Sequence, residues 1–218
     1  MSSKKESILP QSDIELISIK SFTRSEVVDA YSTWTDVSVA ERRCLEMVCD
    51  NSADVLDIGC GAGRHAGWLD GRFRTYLGID ASKPMIEAAK KNFPELSFLD
   101  DDILDLDVED NSCDVILLMA NVLDFLHPIE RRLMLLERCS MWLRDGGAII
   151  GSSHLTESDE EKGFYKEDYH NSEIHQYRLS ASEMVEEAER FGLEVALFVR
   201  DYRKQPACWA YWVARKTR

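Results

Sequence analysis

The stretch VLDIGCGAGRHAGWL, residues 55–69, holds the first residues whose spacing points to chemistry. Gly59, Gly61 and Gly63 stand at alternate positions, directly after a short apolar run that contains Asp57. A strand running into G-x-G-x-G and then a helix makes a nucleotide-binding corner. Glycine there turns the backbone sharply and lets a ligand approach with no Cβ in the way. The phosphate cradle G-x-x-x-x-G-K-[ST] is absent. The dinucleotide fingerprint G-x-G-x-x-G has one more residue before its third glycine. Two acids narrow the ligand. Asp57 sits inside the first strand, where a carboxylate faces an ammonium rather than a pyrophosphate. Asp80 ends the second strand, 23 residues further on, where an acid accepts two ribose hydroxyls. A ligand with an ammonium, a ribose and no phosphate satisfies both.

A second set of residues lies downstream. His154 follows GGAIIGSS (146–153), at the carboxyl end of a parallel strand, where open α/β sheets place their ligands. An imidazole, with an ordinary pKa of about 6.5, suits a general base. Asn121, Asp124 and His127 follow an apolar run in MANVLDFLHP; His127 precedes Pro128 and reads as the end of that segment rather than as a catalyst. Tyr31 and Trp34, at i and i+3, share one helix face and either pack under a cap or form a lid.

The elements that must position these groups are legible as an alternation. VLDIG, YLGID, LSFLDDDI, CDVILLMA and GGAIIGSS read as strands; RHAGWLDGRF, KPMIEAAKKNF and IERRLMLLERCSMWL read as the helices between them, with Ser82 as an N-cap and Pro84 in the first turn. That order predicts a Rossmann-like, doubly wound, mostly parallel α/β sheet. SASEMVEEAERFG is a last helix, closed by Gly192. LEVALFVRD and CWAYWVARK are joined only by YRKQPA, which predicts a terminal antiparallel hairpin. Residues 1–12 are expected to be disordered. Residues 13–218 form a single domain, with 13–50 as a helical cap.

Composition excludes several classes. The net charge of −14 argues against nucleic acid, which needs an excess of Lys and Arg. No apolar run approaches the roughly 20 residues that span a bilayer, and MSSKKESILPQSD has no apolar core of a secretory signal. None of the six cysteines forms a C-x-x-C pair; reduced, buried thiols of a cytoplasmic protein are expected, with no metal site.

VLDIGCGAGRHAGWL, followed by YLGIDAS, FLDDDI and CDVILLMANVLDFL, resembles the class I S-adenosylmethionine-dependent methyltransferases. The resemblance covers roughly 52–150 and extends more loosely to the terminal hairpin. It implies a seven-stranded sheet, S-adenosylmethionine as donor and S-adenosylhomocysteine as product. By resemblance, Asp57 with the Gly59, Cys60 and Gly61 loop holds the methionine part, and Asp80 takes the ribose hydroxyls. Ala81 and Met85 pack near the adenine, Asp102 lies near its amino group beside the Ile103 N–H, and Met119 ends the fourth strand beneath the donor. Methyl transfer is an in-line displacement, so the protein mainly supplies positioning and a dry pocket. Asn121 stands where small-amine methyltransferases carry Gly-Asn-Ser, although Ala120 and Val122 replace the flanking pair; its amide either orients an acceptor or caps the next helix.

The acceptor pocket is expected from Asn121, Asp124 and His154, from the 160–177 insert with Tyr165 and Tyr169, and from a lid carrying Tyr31 and Trp34. His170, His175 and Tyr177 share that insert. A small-molecule metabolite methylated at N or O is the predicted acceptor. A protein acceptor, or an inactive binding subunit of the same fold, is the alternative.

Overall fold

The computed structural model describes residues 4–5, 11–69, 71–201 and 208–217. The chain opens with a two-residue strand, β1 (Lys4–Lys5), and three helices, α1 (Gln11–Phe22), α2 (Ser25–Thr33) and α3 (Val39–Glu46). The alternating core follows: β2 (Asp54–Ile58), α4 (Arg64–Leu69), β3 (Thr75–Asp80), α5 (Lys83–Asn92), β4 (Ser97–Asp100), β5 (Cys113–Leu118), a single turn α6 (Val122–Phe125), α7 (Ile129–Trp142) and β6 (Leu143–Leu155). A hairpin, β7 (Gly163–Tyr169) and β8 (Ser172–Arg178), is inserted before α8 (Ala181–Glu189), β9 (Leu193–Asp201) and β10 (Cys208–Lys216).

Seven strands form one sheet in the order β4-β3-β2-β5-β6-β10-β9. Pairing is parallel from β4 to β6, and β10 runs antiparallel to both β6 and β9. The doubly wound sheet and its terminal hairpin are therefore as the sequence predicts; the link 202–207 lies outside the described residues. Strand alternation sends Leu56, Ile58, Ile116 and Leu118 to a core under α7 and α8. Val55, Leu117 and Met119 go to the other face, against α3, α4 and α5. No described helix is long and apolar enough to cross a membrane.

The cap differs from the expectation in two ways. α3 is not a lid: Cys44 and Leu45 join the core on one sheet face, and Ser38 with Glu41 closes its first turn as a capping box. α1 instead packs on β8, and α2 packs on α5. The expected disorder over 1–12 falls mostly outside the described residues, but Lys4–Lys5 pair antiparallel with β7 and Gln11 and Ser12 open α1. The insert was expected only as a wall; it is a hairpin whose two-residue turn has both His170 and Asn171 at positive φ (49° and 57°), the geometry that matches strand twist. Ser82 is the N-cap residue of α5, as expected, but its side chain makes no capping bond; its hydroxyl donates to the Phe22 carbonyl at 2.9 Å. Cys44, Cys60, Cys113 and Cys139 are buried free thiols, and Cys49 is half-buried.

Candidate active site

The glycine corner joins β2 to α4 at the carboxyl edge of the sheet. Gly59 has φ +68°, and a Cβ there would lie 2.5 Å from Val122 Cγ2. The N–H groups of Gly59 and Cys60 donate to the Ile79 carbonyl at 2.7 and 3.0 Å, which folds the loop onto the end of β3. Asp80 stands there. One of its oxygens accepts the Gly61 N–H at 2.9 Å and the other the Ser82 N–H at 2.8 Å. Burial raises its pKa to about 6, against the pull of those two N–H groups.

Around this corner lies a cavity of about 880 Å³. Gly59, Gly61, Asp80, Ala81, Met85, Asp102 and Ile103 line it, as expected. Its roof is α1, through Glu15, Ser18, Ile19 and Phe22. Asp102 is already occupied: it accepts Arg131 at 2.6 Å and the Leu104 N–H at 2.9 Å. Arg131 also reaches Glu15 of α1 at 2.9 Å, so one guanidinium ties the roof to the wall.

Three expected residues do not line the cavity. Asp57 points to the opposite sheet face by strand alternation and is fully buried. One oxygen accepts the Tyr76 hydroxyl at 2.7 Å, and the other has no hydrogen-bond partner among the described residues. Burial raises its pKa. Cys60 turns its thiol down against Gly78, and Met119 packs in the core with Leu117.

A second cavity, of about 720 Å³, adjoins the first. Phe22, Tyr31, Ala120 and Phe125 line both. Trp34, Asn121, His154, Glu167, Tyr169, Ile174 and Trp209 complete it. His154, near the end of β6, and Asn121, just past β5 and 33 residues before it, meet here: His154 Nδ1 is 3.2 Å from Asn121 Nδ2 and 2.8 Å from Gln176 Oε1. It is also 3.6 Å from Asp124 Oδ2. Two of those three neighbours are acceptors, which places the ring proton on Nδ1 and leaves Nε2 as the basic nitrogen.

Ala120 and Asn121 both take left-handed backbone, φ 56° and 66°. Non-glycine residues hold that conformation at a cost of about 1–3 kcal/mol each, and such strain gathers at functional sites. It is sustained here by the Asn121 N–H, which donates to Ser152 Oγ at 3.2 Å. The Asn121 side chain makes no cap hydrogen bond to α6. The capping role is therefore not taken, and the amide lies against His154 instead.

Two more expectations change. Asp124 is buried beneath the cavity rather than in its wall. It accepts the His154 backbone N–H at 2.8 Å, and burial raises its carboxyl pKa against the pull of His154. Tyr165 lies outside: its ring sits under the Arg178 guanidinium at 4.1 Å and its hydroxyl donates to the Glu161 carbonyl. It precedes Tyr169 by four residues, about 13 Å along a strand. His127 is buried, bonded to the Asp124 carbonyl at 3.0 Å, with its pKa pushed down to about 4 by burial. His170 sits in the hairpin turn, and His175 pairs with Glu173.

Residues 55–147 match the family model of the methyltransferase domain. That stretch is a methyltransferase domain, and the chain is similar to the class I S-adenosylmethionine-dependent methyltransferases. No curated protein sequence gives a significant match. Among solved structures, the fold is similar to the 1,6-didemethyltoxoflavin-N1-methyltransferase of Burkholderia thailandensis, whose structure holds 1,6-didemethyltoxoflavin and S-adenosylhomocysteine. Identity is 21%, the TM-score is 0.74, and the match covers 100% of this chain and 95% of that one. An S-adenosylmethionine-dependent methyltransferase of Methanosarcina mazei matches at 15% identity and TM-score 0.68, over 84% and 99% of the two chains. Another, from Mesorhizobium loti, matches at 16% and 0.64, over 86% and 99%.

The donor fits this methyltransferase on two observations. Each Asp80 oxygen spends one lone pair on a backbone N–H and keeps capacity for a hydroxyl donor. Gly61 carries no Cβ where the loop closes on Tyr31, whose ring lies 3.4 Å from the position a Cβ would take. Sequence reasoning missed the roof residues Glu15, Ser18, Ile19 and Phe22, together with Phe125, Glu167, Gln176 and Trp209. None carries a local motif. The period-two pattern of SEIHQYR was the one signal available for the hairpin that supplies Gln176.

Proposed function

We propose that the chain transfers a methyl group from S-adenosylmethionine to an N or O atom of a small-molecule metabolite held in the second cavity. The observation that carries this is the junction of the two cavities at Phe22, Tyr31, Ala120 and Phe125, with His154 and Asn121 on the far side of it. Gly59 and Gly61 would hold the methionine part by their backbone, Asp80 the ribose, and Ala81, Met85, Asp102 and Ile103 the adenine. Asp57, Cys60 and Met119 support the loop and strand ends from behind.

The donor supplies a methyl on a sulfonium that is its own leaving group, so the chain's work is on the acceptor. Asn121 orients the acceptor atom. His154 Nε2 takes its proton where it arrives protonated. Tyr31 and Trp34 cover the junction; the Arg64 guanidinium, 4.1 Å from the Trp34 ring, holds that cover down, and Glu41 holds Arg64 at 2.6 Å. Exclusion of water follows from this closure. The small molecule in the Burkholderia structure supports a metabolite acceptor, and its N1 specificity supports nitrogen. No metal enters the proposal; among the described residues no group of three or more His, Cys, Asp or Glu side chains is placed to hold a metal ion.

Calorimetry with S-adenosylhomocysteine tests the donor half. Incubation with donor and a metabolite panel, read by mass for one added methyl, tests the acceptor half. Binding of NAD without S-adenosylhomocysteine overturns the first; methylation only of protein or RNA overturns the second.

A further inference from the structure

We infer, resting on the reading above, that the acceptor is an uncharged, flat aromatic compound that presents an acidic ring N–H or ring O–H to His154. Six rings enclose the second cavity: Phe22, Tyr31, Trp34, Phe125, Tyr169 and Trp209. They brace one another edge to face. Phe22 and Phe125 are 5.3 Å apart at 85°, Tyr31 and Trp34 5.6 Å at 76°, and Tyr31 and Tyr169 6.1 Å at 65°. Such a braced set keeps its planes without a ligand, and a flat ring gains offset-stacked or edge contacts beyond its buried area.

Charge decides what kind of molecule these rings receive. Among the described residues no Lys or Arg lines the cavity, so a carboxylate or phosphate on the acceptor would enter without a counterion there and lose its hydration uncompensated. The acidic side chain in the wall, Glu167, already accepts the Arg178 guanidinium. An ammonium would therefore find no free carboxylate, only ring faces and the neutral acceptors of His154 and Asn121. It would also stand beside the donor's sulfonium, and like charges repel strongly in a dry site. A protonated amine has no lone pair to attack with. A neutral acceptor avoids all of these penalties.

The proton inventory selects the reacting group. His154 offers Nε2 as an acceptor because Nδ1 is held by Gln176 Oε1, with Asp124 behind it. Asn121 adds an amide beside that imidazole. In the transfer, the acceptor's N–H or O–H bond breaks and its proton goes to Nε2. The N–CH3 or O–CH3 bond forms as the S–CH3 bond breaks, and the bonding pair leaves on sulfur. The positive charge thus passes from the sulfonium to the imidazolium, and the buried Asp124 carboxylate lies 3.6 Å from the ring nitrogen to receive it. This gives Asp124 a task beyond accepting the His154 backbone N–H.

The test is an NMR screen on nitrogen-15-labelled protein saturated with S-adenosylhomocysteine, read both on the ligand signals and on the protein's indole N–H signals. Three fragment sets of equal size are used: neutral N–H or O–H heteroaromatics such as benzimidazole, uracil and hydroxyquinoline; alkylammonium and arylammonium compounds; and aromatic carboxylates and phosphates. Binders are expected in the first set, with shifts in the Trp34 and Trp209 indole N–H signals. Trp34→Ala and Trp209→Ala should each weaken those binders at least tenfold, with S-adenosylhomocysteine affinity within twofold of the parent. With S-adenosylmethionine, the tightest binders should gain a methyl, whereas analogues already methylated at the ring nitrogen or oxygen should not. Preferential binding of ammonium or anionic fragments overturns the inference, and so does donor-product binding with no fragment bound from any set. Failure to bind S-adenosylhomocysteine in the same samples breaks the methyltransferase reading instead.

Discussion

The two cavities share four residues and differ in how the chain builds them. The donor side comes from consecutive strand ends: Gly59, Asp80 and Asp102 each stand just past a strand of one continuous alternation. The acceptor side draws on α1, α2, the strained turn after β5, the end of β6, the inserted hairpin and β10, from Phe22 to Trp209. The first is set by local geometry at a sheet edge, the second by how distant segments pack. The two are nonetheless coupled. Ser18 of the donor roof donates to the His175 carbonyl and accepts the His175 N–H, at 3.0 and 3.1 Å, and Ser21 donates to the Glu173 carbonyl. The roof of one cavity and the wall of the other are thereby one hydrogen-bonded body.

If the division holds, variants should separate cleanly. His154→Ala carries the largest expected effect: a loss of about 10²–10⁴-fold in turnover, the range for a general base, with donor affinity unchanged. Full turnover on the acceptor, or a weakened donor, would place the boundary elsewhere. Asp80→Ala is the converse. It removes charge-assisted hydrogen bonds of about 1.5–3 kcal/mol each, so the dissociation constant of S-adenosylhomocysteine should rise at least tenfold while benzimidazole-type binders still shift the Trp209 signal. An unchanged constant in a folded variant contradicts the ribose role.

A pH series sharpens the same point. Burial holds the Asp80 pKa up at about 6, so the native state keeps this proton more tightly than an unfolded chain does. Its contribution to stability is full below the ordinary carboxylate range and is lost as pH rises through about 6. Donor binding runs the other way, because only the ionised form accepts two hydroxyls. Affinity should be flat well above that pKa and weaken toward about tenfold per pH unit below it. Asp80→Asn should flatten the profile; a parent profile flat down to pH ~5 removes Asp80 from the site.

The smallest effect tests the turn where the cavities meet. Ala120 at φ 56° gives up strain when replaced by glycine, less about 0.4–1 kcal/mol of added unfolded-state entropy. Ala120→Gly should leave the urea midpoint unchanged or stabilise by up to about 1 kcal/mol, and Ala120→Val should destabilise. Clear destabilisation by glycine would mean that the Ala120 methyl packs rather than strains.

What the sequence determined by itself is the doubly wound sheet, its antiparallel end and the donor edge. Apolar runs of five to eight residues in this order have one economical packing, and a strand–glycine–helix corner sets Gly59 and Gly61 beside the end of the neighbouring parallel strand, where Asp80 stands. Asp57 and Met119 show the limit even there: the motif names the positions, but alternation across the sheet turns both side chains away from the cavity. The tertiary structure alone decided the roof, the hairpin and the pairing of His154 with Gln176 and Asp124. Those contacts span from 22 to 157 residues of chain, and no local preference encodes them. Glu167 and Tyr169 reach the cavity where Tyr165 does not because the hairpin docks against α1 at one point along its length. A strand's period tells which face a residue takes, and only the docking tells how far along that face the cavity lies.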